Sequence, residues 1–197
     1  MVNYITLALL LLLLTVGFYH RLLSARSGES LDRSREGWWI FAAIRLTGLA
    51  GYIAVAMAFR GPQLNLPEPA RWAGIAVVGA SGAWLSWMFV SLGRNLTDTV
   101  VTRQNAVFVE HGPYRYVRNP MYIGLLMLGV GLGAALASWI IPAVFILLFV
   151  WFAIRVRTEE AHLIARFGPV YLDYMSRVGR FLPISPFGTP PRLPSAR

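Results

Sequence analysis

Cysteine is absent from the 197-residue chain, which excludes disulfides, thiolate catalysis and cysteine-ligated metals. Lysine is absent as well, so all 18 basic residues are Arg. Acidic residues number only nine, and the three histidines, His20, His111 and His162, are too scattered for a zinc site; no metal is expected. Charged residues make up 14% of the chain, against about 25% in an ordinary soluble domain. What is abundant instead is apolar: 56% of residues are hydrophobic and the mean hydropathy is +0.56. The uncharged residues come in runs long enough to cross a bilayer, which argues against a soluble domain. The expected fold class is all-α, a polytopic integral membrane protein.

Residues 1–19 carry no charge and centre on six consecutive leucines at 9–14, nearly matching a hydrocarbon core of about 30 Å. No positive charge precedes this run and no A-x-A pattern follows it, so it reads as a retained span with its N-terminus outside rather than a signal peptide. Residues 37–59, interrupted only by Arg45, and residues 72–93 read as the second and third spans. Gly61, Pro62, Pro67 and Pro69 break the chain between them. Residues 119–154 hold 36 uncharged residues, which as one helix would be about 54 Å long, more than any bilayer needs. A tight hairpin is expected instead, turning near Ala137, Ser138 and Trp139, with Pro142 in the first turn of the next helix. That last helix must run on past Arg155 to be long enough. About five transmembrane helices result, with a C-terminal helical hairpin.

The net charge of +9 could point to nucleic acid, but the Arg residues lie in several short loops with no nucleic-acid module. Counted by loop, fifteen of the 18 fall on one side, two (Arg60 and Arg71) on the other, and Arg45 lies within a span, where snorkelling to the interface is its simplest role. The positive-inside tendency makes the first and third loops and the C-terminal segment cytosolic. Three N-terminal helices over residues 1–93, a core over 94–183 and a Pro-rich tail over 184–197 follow. The two cytosolic segments flanking the hairpin, 94–118 and 155–197, are where a site would be assembled.

Residues 110–124 are dense in aromatics, Arg and turn formers and lead straight into a span. Asn119 is a candidate N-cap and Pro120 a first helical residue, and a helix N-terminus suits an anionic group. An interfacial aromatic and Arg belt is the plain alternative. Beyond the last span, Arg155 and Glu159 share a helix face at i, i+4, with His162 three residues further. Glu160 diverges from Glu159 by about 100°, so the two are not expected to serve one ligand atom. Gly168 and Pro169 break this helix, and Tyr171 and Tyr174 follow on a short helix that closes the site, where packing is their expected role.

The runs G-P-Y-R-Y-V-R-N-P-M-Y-I-G at 112–124, R-V-R-T-E-E at 155–160, F-G-P-V-Y-L-D-Y at 167–174 and R-V-G-R-F-L-P at 177–183 resemble the isoprenylcysteine carboxyl methyltransferase family, which shades into membrane phospholipid N-methyltransferases. The resemblance covers about residues 95–183. It implies an S-adenosylmethionine-dependent enzyme with its cofactor between the cytosolic segments and a lipid-facing opening for a lipophilic acceptor. By position, Tyr114, Asn119, Pro120, Met121 and Tyr122 would line the cofactor, with main chain at Ala106, Val107, Phe108 and Val109. Glu159 would hold its amino end, and Arg155 would face the acceptor as the catalytic residue, pairing with a carboxylate. The family often has His where this chain has Asn119.

An isoprenylcysteine-like carboxylate is the first expected acceptor, with phospholipid amines or small thiols behind it. An amine acceptor would need a proton removed, for which His111, His162 or Glu160 are candidates, with Arg118 nearby as a supporting residue. Two other classes compete. NADPH-using sterol reductases are similar to this family in their C-terminal half but longer, and a small non-enzymatic transporter would also place paired Glu beside the membrane. The expected setting is a prokaryotic inner membrane, with the bilayer as partner and no nucleic acid; the sequence does not give the oligomeric state.

Overall fold

A computed structural model describes residues 1–25, 49, 51, 53, 55–58, 63–93 and 108–183. Five α-helices are traced among them: α1 (Val2–Ala25), α2 (Glu68–Leu92), α3 (Pro120–Ala135), α4 (Ile140–Phe167) and α5 (Pro169–Arg177). A short 3-10 turn, Gly112–Arg115, precedes α3. The described part of the second predicted span is helical at residues 55–58, while Arg45, residues 94–107 and the tail from 184 lie outside the described residues. Among the described residues the sole extended pairing is one isolated parallel bridge, Val117 to Gly179.

The helix limits follow from local chemistry. Pro67 is extended and cannot itself continue a helix from upstream, Pro69 suits the first turn of α2, and Glu68 there faces the positive end of the helix dipole. The third span thus starts at Glu68, four residues before the uncharged run does. Gly93 ends it in the left-handed region at φ 51°, its N–H donating to Phe89 O. α1 continues past Tyr19 to Ala25, because charge and polarity alone do not stop a helix.

α1, α2 and α4 are long and apolar enough to cross a membrane, and α3 is a shorter apolar helix of 16 residues. Their outward faces carry large apolar side chains, such as Leu147 at 69% and Ile154 at 68% exposure. Water would penalise such a surface and a hydrocarbon core would not, so the chain is read as an integral membrane protein. The predicted hairpin is present: α3 ends at Ala135, Ala137 turns at φ 53°, and α4 begins at Ile140 with Pro142 in its first turn. Ser138 N–H donates to Gly133 O at 2.8 Å, and Leu64 N–H reaches back to Ala137 O at 2.6 Å.

α3 packs most extensively on α2. The two backbones nearly touch where a Cβ added to Gly74 would lie 2.5 Å from Ala135 N and 2.8 Å from Gly131 O. Small residues allow this approach, and lipid-embedded helices gain from it through dispersion and hydrogen bonding rather than through water release. Two polar contacts fix the register, Ser81 Oγ donating to Gly124 O and Trp84 Nε1 to Pro120 O, both at 2.8 Å. α4 lies on the other side of α3, with Ile141 in a core shared with Val78, Leu132 and Leu136.

Candidate functional site

α4 extends 28 residues to Phe167, beyond the length that the bilayer needs, and carries Arg155 through Glu160 out to the end of the bundle where α3 begins. Gly168 at φ 56° then reverses the chain and Pro169 opens α5, which folds back beside α4. Residues 179–181 return alongside 117–119: Arg118 N–H donates to Gly179 O at 2.8 Å and Asn119 N–H to Arg180 O at 3.1 Å. The two segments flanking the hairpin are thereby joined, as expected from sequence.

Asn119 is at the N-cap position of α3 but does not cap it. Its side-chain Nδ2 donates to Arg180 O at 3.3 Å, because the returning strand offers a carbonyl that competes with the helix N–H groups. Pro120 is buried and its carbonyl accepts from Trp84.

Adjacent Glu159 and Glu160 serve separate sets of partners, as their divergence predicts. Glu160, 4% exposed, accepts from Arg118 Nε at 2.9 Å and from Arg180 Nε at 3.2 Å, with a further contact to Arg180 Nη2. Arg118 also donates to the carbonyls of Met175 and Val178. This buried cluster ties α3, α4 and the chain after α5 together. Its carboxylate holds the Arg180 guanidinium more firmly protonated than usual, by hydrogen bonding that outweighs partial burial.

Glu159 faces the other way. Its Oε2 accepts from the Tyr122 hydroxyl at 2.7 Å and its Oε1 pairs with Arg155 Nε at 3.4 Å. Arg155 lies over the Trp151 ring, 5.9 Å from its centroid. Tyr122 stacks on Phe152 and touches Phe181, which packs in turn on Phe149. The same ring lines an apolar cleft of about 250 Å³ whose walls include Leu10, Val55, Leu125, Phe145 and Phe149. A carboxylate that accepts from a phenol and pairs with a guanidinium is thus linked, through Tyr122, to an apolar cleft suited to a lipid chain.

A second aromatic group closes the end of the site. Phe108 packs against Phe167, Tyr171 and Tyr174, and the Tyr174 hydroxyl donates to Tyr114 O at 2.7 Å. Burial pushes the phenols of Tyr114, Tyr171 and Tyr174 well above their ordinary range, so all three stay neutral. Val109 is half-buried and Met121 is exposed, while Ala106 and Val107 lie outside the described residues. His111, which precedes the 3-10 turn, and His162 are both exposed.

Of the expected site residues, the structure thus gathers Arg155, Glu159, Tyr122, Arg118 and Glu160, and leaves both histidines at the surface. Arg180 and Phe181 were not anticipated as site residues. The available signal was indirect: a Glu buried beside Glu159 needs cations, and R-V-G-R-F at 177–181 holds two of them.

The PEMT family profile, described as phospholipid methyltransferase, matches residues 69–170, about half of the chain. Protein-S-isoprenylcysteine O-methyltransferase of Schizosaccharomyces pombe is 31% identical over 100 residues, covering 49% of this chain and 42% of that protein. The cobalt-zinc-cadmium resistance protein CzcN of Cupriavidus metallidurans is 31% identical over 115 residues, 52% of each chain. The structure of a eukaryotic intramembrane Ras methyltransferase, an isoprenylcysteine carboxyl methyltransferase, aligns with TM-score 0.57 and 24% identity over 73% of this chain and 52% of that one, a likeness of fold. The chain spans about half the length of the curated relatives it matches. The family match runs from the first turn of α2 through α3 and α4 to the start of α5, and this chain belongs to the phospholipid methyltransferase family.

Proposed function

We propose that this protein is an integral membrane methyltransferase that takes its methyl group from S-adenosylmethionine and esterifies the carboxylate of an isoprenylcysteine-like lipidated acceptor. The observation that carries the reading is the Arg155, Glu159 and Tyr122 group, joined to an apolar cleft through the Tyr122 side chain that lines it. In this reading residues 94–183 form the methyltransferase core, with the site at its cytosolic end.

The residues present fit the cofactor. Glu159 is only partly covered and can accept from an ammonium, while the main chain and aromatics of 108–122 offer stacking and hydrogen-bonding surface to a nucleoside. When bound, S-adenosylmethionine supplies a methyl on a sulfonium, so transfer forms one C–O bond and breaks one C–S bond with no proton to remove. Arg155 would grip the acceptor carboxylate, using the guanidinium edge that Glu159 leaves free, and hold it in line. The apolar walls would hold the lipid chain and keep water away.

The carboxylate is favoured over an amine by the placement of bases. An amine must lose a proton, and Glu160 is held in ion pairs with Arg118 and Arg180 while His111 and His162 are exposed. Among the described residues, Glu159 too has both oxygens engaged. Transfer of labelled methyl in liposomes to N-acetyl-S-farnesylcysteine, phosphatidylethanolamine and a small thiol tests the reading. Base-labile ester on the first is expected; stable label on the amine alone would overturn the acceptor, and no transfer to any of them the activity.

A further inference from the structure

Tyr122 belongs to two sites at once. Its ring lies parallel to Phe152, centroids 4.8 Å apart and planes 3° from coplanar, with Phe181 behind it at 6.3 Å. The ring is also part of the wall of the apolar cleft. Its hydroxyl donates to Glu159 Oε2 at 2.7 Å. A phenol has two rotatable bonds between backbone and ring; its oxygen lies on the axis of the second, so turning the ring about that bond leaves the oxygen in place, but any movement about the first carries ring and hydroxyl together. Whatever in the cleft holds this ring against movement about the first bond also holds the donor on Glu159, and whatever holds that donor restrains the ring in the wall of the cleft.

We propose that Tyr122 is a positioning residue that couples the two sites, so that a lipid chain in the cleft and S-adenosylmethionine at Glu159 each strengthen binding of the other. This rests on the methyltransferase reading above. The physical basis is shared ordering: the first ligand immobilises the ring and its hydrogen bond, and the second then has less to immobilise. Linkage makes the effect reciprocal, with factors commonly between about 5 and 150. A single side chain acting through one hydrogen bond belongs near the lower end. The coupling would favour the state in which donor and acceptor are both present, and Phe152, which supports the ring, is part of the same device.

The test is calorimetric titration of S-adenosylhomocysteine into the full chain in detergent, with and without N-acetyl-S-farnesylcysteine amide, which carries the lipid but no methylatable carboxylate. The wild type is expected to bind at least about fivefold more tightly with the amide present. Tyr122→Phe keeps the ring and its stacking, and the enhancement should fall below about twofold whatever its own affinity. Phe152→Leu keeps the hydroxyl and loosens the ring, and it should lower the enhancement as well. Equal affinity in the wild type with and without the amide, or an enhancement retained in Tyr122→Phe, overturns the coupling alone. Absence of saturable S-adenosylhomocysteine binding to the wild type overturns the methyltransferase reading and the coupling with it.

Discussion

Glu160→Ala removes a carboxylate on which two guanidiniums depend. Arg118 approaches it with Nε and Nη2, both at 2.9 Å, and its side chain is 9% exposed. Without the carboxylate it keeps only its bonds to the carbonyls of Met175 and Val178, which satisfy hydrogens but not charge. Breaking a buried pair by removing one partner costs roughly 3–5 kcal/mol. Arg180 is a third exposed and can turn to water, which places the expected cost near the lower bound, about 3 kcal/mol. For a chain of this size each kcal/mol moves the melting midpoint by about 2–4 °C, so Tm should fall by roughly 6–12 °C. Tryptophan fluorescence, from seven tryptophans, reads this in detergent at a fixed scan rate. Arg118→Met combined with Glu160→Met removes the charge together with its partner and should recover most of the loss. The reasoning fails if Glu160→Ala melts within about 2 °C of wild type, or if the double variant is no better than the single one.

Arg155→Lys keeps a cation but loses the planar fork, and kcat/KM for a carboxylate acceptor should fall at least tenfold, about 1.4 kcal/mol, in a methyl-transfer assay. Gly74→Val inserts atoms where a Cβ already meets Ala135 N at 2.5 Å, so α2 and α3 must separate and Tm should drop by several degrees, a cost of at least about 1–3 kcal/mol. The neutral phenols of Tyr114, Tyr171 and Tyr174 have raised pKa values in the fold, caused first by burial. Their contribution to stability is therefore full below the unfolded phenol value, about pH 10, and is lost as pH rises above it. Phenolate absorbance during alkaline titration should show at least three of the eight tyrosines ionising only as the fold is lost.

Much of the architecture was legible because lipid imposes a simple rule: uncharged runs of about 20 residues become helices, and a run of 36 must fold back. The turn at 136–139 and the extension of α4 past Arg155 both followed from that arithmetic. Helix ends were less legible. α1 runs through His20 to Ala25, and α2 begins four residues early, since hydropathy marks where a helix meets the bilayer rather than where its hydrogen bonds stop. Within the site, the i, i+4 spacing gave the Arg155 and Glu159 pair, and the 100° step separated Glu160 from it. The partners of Glu160 were not legible, because Arg180 reaches it only through the backbone pairing of 117–119 with 179–180, a contact between distant segments that no local pattern encodes. The same pairing explains why Asn119 does not cap α3.

In the proposed function Glu159, set by Tyr122 and Arg155, holds the amino end of S-adenosylmethionine. Isothermal titration of S-adenosylmethionine into wild type and Glu159→Ala, both shown to be folded by their melting curves, tests it most directly. A charge-assisted hydrogen bond of about 2 kcal/mol predicts an affinity loss of about 30-fold in the variant. Equal affinity in the two proteins, or no binding by the wild type, would contradict the account.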